Sequence, residues 1–134
     1  MSASAIFVYG TLRRGQVRAR RWPRPPVRIE WATVEGRLYD LGPYPALVPG
    51  TDLVLGELWW IASADLQETL GVLDEIECYG NEDVDLYVRR WIDSVTFEGD
   101  RVRAQVYLFA HPEQLLNYPL VPPNPTGHRL WHPT

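Results

Sequence analysis

Residues Val54–Glu77 read VLGELWWIASADLQETLGVLDEIE, and the interpretation of this stretch decides the fold. Val54–Ile61 is an apolar run of strand length. Ser63 is a good helix N-cap and Asp65 falls in the first turn, so the spacing predicts a helix from about Ala64 to Glu77. Working outward, Ala5–Tyr9 (AIFVY) is apolar, ends at Gly10 and reads as a buried first strand. Trp31–Asp40 reads as a second strand. Gly42–Gly50 (GPYPALVPG) holds three prolines and two glycines, so a structured loop around a brief extended piece, Ala46–Val48, is expected. Leu86–Phe97 and Arg101–Ala110 read as strands joined at Glu98-Gly99-Asp100, a hairpin signal. The order of strands, one good helix, then strands predicts an α+β fold with a curved sheet or small mixed β-barrel, the helix flanking it. Residues 1–134 are expected to form a single domain. His111–Thr134, with six prolines, reads as an extended tail wrapping the body.

Composition narrows the function. The 134 residues are 46% hydrophobic, which suits a globular chain with a real core. No apolar run approaches the roughly 18 residues of a membrane span, and MSASAIFVYG has neither a basic start nor a long apolar region. A cytoplasmic location without membrane attachment is therefore expected. A net charge of −4 argues against nucleic acid as partner. The single cysteine, Cys78, rules out an intramolecular disulfide, and no cysteine cluster exists for zinc. All 13 basic residues are arginine, which excludes Schiff-base chemistry and any phosphate loop built on lysine. Seven of them crowd Arg13–Arg28 with three prolines. That segment is either a solvated surface or a site for an anionic substrate or partner. Most of the six tryptophans and seven tyrosines are expected to fill a core, with a minority lining a pocket. Trp22, Trp31, Trp59 and Trp60 permit either a monomer or a homodimer.

Within the helical stretch, Leu66, Leu70, Leu73 and Glu77 are spaced four, three and four apart. At 3.6 residues per turn they lie within roughly 60° of one another, so a carboxylate completes an apolar stripe. Burying it raises its pKa toward the range useful for proton transfer near neutrality. Glu77 is thus a candidate general acid/base. The competing reading ends the helix at Ile76 and turns Glu77 to the surface or against Arg89 or Arg90. Val8–Leu12 (VYGTL) places a glycine and a hydroxyl directly after a buried strand, where successive backbone N–H groups can hold a carboxylate or an oxyanion. Cys78 has no histidine near it in sequence and reads as a small core residue rather than a nucleophile. His128 and His132 are four apart, but the prolines around them and the lack of a third ligand argue against a metal site.

Taken together, FVYGTLRRG (Phe7–Gly15), YPALVPG (Tyr44–Gly50), GELW (Gly56–Trp59), LDEIE (Leu73–Glu77) and YVRR (Tyr87–Arg90) resemble the γ-glutamylcyclotransferase-like family, which includes the AIG2-like proteins. The resemblance spans Ile6 to about Ala110. It implies a small mixed barrel with a pocket at one end. It further implies that Tyr9, Gly10, Thr11 and Leu12 form the pocket floor and bind a glutamyl group. Glu77 would be the catalytic acid/base. Tyr44 and Tyr87 would line the walls, and Arg89 would orient Glu77 or recognise a carboxylate. The implied reaction is release of 5-oxoproline and a free amine from a γ-glutamyl amide, with no metal or organic cofactor. Cys78 stands where the family usually has glycine, and the loop Tyr79–Leu86 is acidic. Two other readings share these residues: a binding module that keeps the pocket without turnover, and an enzyme that removes a γ-glutamyl group from a larger amine.

Overall fold

The apolar start of the chain is enclosed by strands far from it in sequence. In the computed structural model, which describes residues 2–80 and 85–133, Ala3–Val8 forms β1. It runs antiparallel to β3 (Pro45–Ala62), from Ala3↔Ala62 to Val8↔Glu57, and parallel to β5 (Arg101–Phe109) at Ile6↔Gln105. Strand β2 (Arg28–Asp40) pairs antiparallel with β3 along its length and with β4 (Tyr87–Thr96) at Ala32↔Thr96 and Thr33↔Val95. β4 and β5 form an antiparallel hairpin. The order β1-β3-β2-β4-β5 closes a barrel, and one main helix, α1 (Leu66–Ile76), packs on it. The α+β barrel expected from the sequence is the architecture observed.

Alternation along the strands builds two cores. Ala5, Phe7 and Tyr9 join Val34, Leu38, Leu58 and Val106 in the barrel interior. Ile6 and Val8, pointing the other way, join Leu70, Leu73 and Ile76 of α1 in a second layer beneath the helix. The helical stripe is therefore core-facing up to Ile76.

Two local expectations are corrected. Gly42–Gly50 is not a loop around a short extended piece, because Pro45–Gly50 belongs to one long β3. The ladder to β2 jumps from Gly36↔Asp52 to Arg37↔Val48, so Pro49 sits where the register breaks and its missing N–H interrupts no ladder bond. Gly50 allows the strands to close at this break, since a Cβ there would lie 2.9 Å from the Arg37 backbone nitrogen. Ser63 does not cap α1. A single 3-10 turn, Ser63–Asp65, precedes the helix, Asp65 occupies the cap position, and the Ser63 hydroxyl instead donates to the Ser2 carbonyl at 3.0 Å.

Residues 119–131 lie along β2 and β3. The Asp40 N–H donates to the Pro119 carbonyl (2.8 Å), Val121 to Leu38 (2.9 Å) and Leu55 to Arg129 (2.9 Å). Trp131 is buried, and its indole donates to Asp40 Oδ1 at 3.1 Å.

The loop that follows β1 is anchored by a buried carboxylate. Glu57, 2% exposed, accepts from the Arg14 backbone N–H (2.9 Å), Arg14 Nε (2.8 Å) and Trp59 Nε1 (3.1 Å). Arg13 is buried beside it and donates to the Trp131 carbonyl. Trp22 closes the segment: its indole donates to the Leu12 carbonyl at 3.0 Å, and its ring stacks on Trp59 with centroids 4.2 Å apart. Removing Glu57 takes the acceptor from the Arg14 backbone N–H and the Trp59 indole N–H, while the half-exposed Arg14 guanidinium can turn to water. Glu57→Ala is expected to cost about 2–3 kcal/mol in equilibrium unfolding, because those two donors lose their acceptor and the loop its tie to β3. A change under about 0.5 kcal/mol, the range of an ordinary surface substitution, would show that the anchor is dispensable.

Candidate active site

The end of α1 aims the candidate base. Glu77 is the last residue of near-helical backbone (φ −87°, ψ 4°), and its N–H still bonds Leu73 at 2.9 Å. Cys78 then turns into the left-handed region at φ 55°. Its N–H donates to the Glu75 carbonyl (3.2 Å) and that of Tyr79 to Asp74 (2.9 Å), the paired bonds of a Schellman terminus. Cysteine thus adopts the conformation that glycine would take at this position. The expectation that Cys78 is a core residue is corrected, since it is exposed.

This terminus places Glu77 in a pocket beside the loop that follows β1. Tyr9, Gly10, Thr11 and Leu12 from the loop after β1, Tyr44, and Tyr87 from β4 line the same pocket. Burial pushes the Glu77 carboxyl up to about 7, an effect only partly countered by Arg18, which also lines the pocket. Among the described residues, the Glu77 carboxylate has no hydrogen bond or ion pair to protein. The alternative pairing with Arg89 or Arg90 is not found. Across the pocket, the N–H groups of Gly10, Thr11 and Leu12 also have no protein acceptor among the described residues. Gly10 fits against the Pro45 ring, which a Cβ would approach to 2.8 Å.

The tyrosines brace the walls. Tyr9 donates its hydroxyl to the Tyr107 carbonyl at 2.5 Å, and Tyr87 donates to the Pro45 carbonyl at 2.6 Å. Burial holds both phenols well above their ordinary pKa, so they stay neutral donors.

Arg89 is the one residue expected at the site that does not line the pocket. Its guanidinium forks onto Asp74 (3.0 and 3.3 Å) and reaches Gln105 Oε1 (2.6 Å). Tyr107 donates to the same Asp74 Oδ1 at 2.6 Å. Arg89 therefore ties α1 to β4 and β5 one helical turn before Glu77. The sequence reading missed Arg18, Tyr107 and Asp74. Asp74 had a signal, being the first acid of LDEIE and three residues before Glu77, on the same side of the helix. Arg18 was only one of seven arginines in its segment. Of the acidic loop, Asn81–Val84 lie outside the described residues, while Leu86 lines the pocket. Among the described residues, no three His, Cys, Asp or Glu side chains are grouped to hold a metal, and no helix is long and apolar enough to cross a membrane.

Residues 6–127 match the family described as Gamma-glutamyl cyclotransferase, AIG2-like, and the chain belongs to that family. It is 35% identical over 89 residues to the Gamma-glutamylcyclotransferase family protein YtfP of Escherichia coli K12, covering 66% of this chain and 72% of the relative. It is 39% identical over 75 residues to the Gamma-L-glutamyl-butirosin B gamma-glutamyl cyclotransferase of Niallia circulans, covering 55% of this chain and 46% of that one. Among solved structures, an AIG2-like protein from Mus musculus superposes with a TM-score of 0.67 at 25% identity, covering 98% of this chain and 97% of the other.

Two stability effects follow from the helix end. Cys78→Gly relieves a left-handed conformation and is expected to raise stability by about 1 kcal/mol, read as a higher Tm. An unchanged or lower Tm would place the strain elsewhere. Glu77 has a folded pKa raised from 4.5 to about 7, so its neutral form favours the fold and that contribution is lost as pH rises through about 7. Allowing for partial exposure, Glu77→Gln is expected to be about 1–2 kcal/mol more stable than wild type at pH 8 and equal to it near pH 4. Equal stabilities at both pH values would show that the carboxyl is not held up by burial.

Proposed function

We propose that this protein is a γ-glutamyl amide cyclotransferase that releases 5-oxoproline and a free amine, with Glu77 as general acid/base. One observation carries the reading: a half-buried carboxylate with no protein partner among the described residues lines the same pocket as a loop whose N–H groups also lack one. A site needs both features when it must accept a proton and hold a developing oxyanion.

The substrate supplies its own nucleophile. Its α-ammonium gives a proton to ionised Glu77, and the free amine attacks the γ-carbonyl carbon to close a five-membered ring. The carbonyl oxygen becomes an oxyanion, for which the Gly10–Leu12 N–H groups are suitable donors. Glu77 returns the proton to the amide nitrogen as the C–N bond breaks. The ring nitrogen, which carried two hydrogens into the attack, gives its second proton through Glu77 to the departing amine, so the products are the lactam, 5-oxoproline, and the amine as its ammonium ion. Glu77 ends ionised as it began, and no oxidant or reductant is needed. A carboxyl with a pKa near 7 suits both halves of this cycle, since it gains and loses a proton at little cost near neutrality. The barrel contributes chiefly by folding the glutamyl chain so that amine and carbonyl meet.

The test is 5-oxoproline release from a panel of γ-glutamyl amides, running from γ-glutamyl amino acids to γ-glutamyl-ε-lysine and bulky γ-glutamyl amines. Turnover is expected to fall below an apparent pKa near 7, as Glu77 becomes protonated. Glu77→Gln is expected to lower kcat by about 100-fold or more while remaining folded. A folded Glu77→Gln enzyme with undiminished kcat would remove Glu77 from the chemistry. Ligand binding by the wild type with no release from any amide would favour the binding-module reading.

A further inference from the structure

Arg18 is the one basic side chain among the described residues lining the pocket. The neighbouring arginines are engaged elsewhere: Arg13 donates to the Trp131 carbonyl, Arg14 to Glu57, and Arg89 to Asp74. The Arg18 guanidinium has no hydrogen bond or ion pair to protein among the described residues, yet its charge is felt at both Glu77 and Tyr87. Its backbone N–H donates to the Thr11 carbonyl at 2.9 Å, which fixes it to the same loop that presents the free N–H groups. Among the described residues, the pocket lining therefore holds one acid and one base, neither bonded to protein, at electrostatic range of each other. An α-amino acid head group carries the complementary pair, an ammonium and a carboxylate on a single carbon. With its nitrogen delivered to Glu77, the cation that the described lining offers its carboxylate is Arg18. A guanidinium is suited to that group because its fork of donors matches the two oxygens.

We propose that Arg18 binds the free α-carboxylate of the γ-glutamyl group, so that an unblocked amino acid head group is the feature all substrates share, whatever amine leaves. This deepens the cyclotransferase reading and rests on it.

Two ligands isolate the contact: 5-oxoproline, which keeps the carboxylate and lacks a leaving group, and its carboxamide. By calorimetry, wild type is expected to bind the acid about tenfold or more tightly than the amide, the range of a charged hydrogen bond. In Arg18→Gln that preference should shrink to within about threefold, with the loss borne by the acid, as one charged contact is removed. Arg18→Lys, which keeps the charge without the fork, is expected to fall between. Arg20→Gln, an exposed neighbour, should bind like wild type, and an equal loss there would reduce the effect to general charge. An acid preference that survives in folded Arg18→Gln overturns the proposal while leaving the cyclotransferase reading intact. In turnover, Arg18→Gln should raise KM by the same factor for γ-glutamyl amides with and without a carboxylate on the leaving amine. A loss confined to carboxylated leaving groups overturns the proposal and moves Arg18 to the other end of the substrate. Wild type that binds neither ligand and releases no 5-oxoproline overturns the proposal and the underlying reading together.

Discussion

The carboxylate of Glu57 is the constraint on which the site depends. An ionised carboxylate removed from water costs several kcal/mol unless donors replace the lost hydration. Here two donors from Arg14 and one from Trp59 do so, and the guanidinium of Arg14 matches the charge. Because two of those donors come from the loop after β1, satisfying Glu57 fixes that loop against β3. The loop then has no need to bond through Gly10, Thr11 and Leu12, which line the pocket and whose N–H groups have no protein acceptor among the described residues. Holding Thr11 in place also holds Arg18, through the bond between them.

Two glutamates, Glu57 buried and Glu77 half-buried, are thus treated in opposite ways. Glu57 is surrounded by donors and belongs to the framework. Glu77 has none among the described residues and carries the strongly raised pKa. The difference arises from the elements that bear them. Glu57 points from a strand into a loop that brings its own donors. Glu77 ends a helix, where the nearest orphan backbone groups are carbonyls, which cannot donate to a carboxylate. An acid at that terminus is left for something other than the protein to pair. Asp74, one turn earlier, absorbs Arg89 and the Tyr107 hydroxyl, and so holds the Arg89 guanidinium away from Glu77.

Much of this was legible from the chain alone. The stripe Leu66, Leu70, Leu73, Glu77 gave the helix and singled out the carboxylate, because helical periodicity is a local property. The apolar runs and the Glu98-Gly99-Asp100 turn gave the strands for the same reason. Other features were misread where a local signal met a distant partner. Pro45–Gly50 looks like a loop by composition, yet β2 supplies a ladder that draws it into a strand. Ser63 has the chemistry of a cap, yet Ser2 sits within reach of its hydroxyl. The glycine-like turn at Cys78 is imposed by the Schellman bonds, which override the side chain's preference.

The sequence by itself determined the barrel-and-helix class, the position of Glu77 on a buried face, and the turn after β1. Each depends on spacing within a dozen residues and on the family pattern those residues carry. Tertiary structure alone decided which of 13 arginines enters the pocket. Arg89 is drawn to Asp74 across α1 and β4, and Arg18 is left facing Glu77 from a segment whose charge pattern distinguishes none of its members. Charge pairing is settled by which side chains meet in space, and spacing along the chain does not encode it.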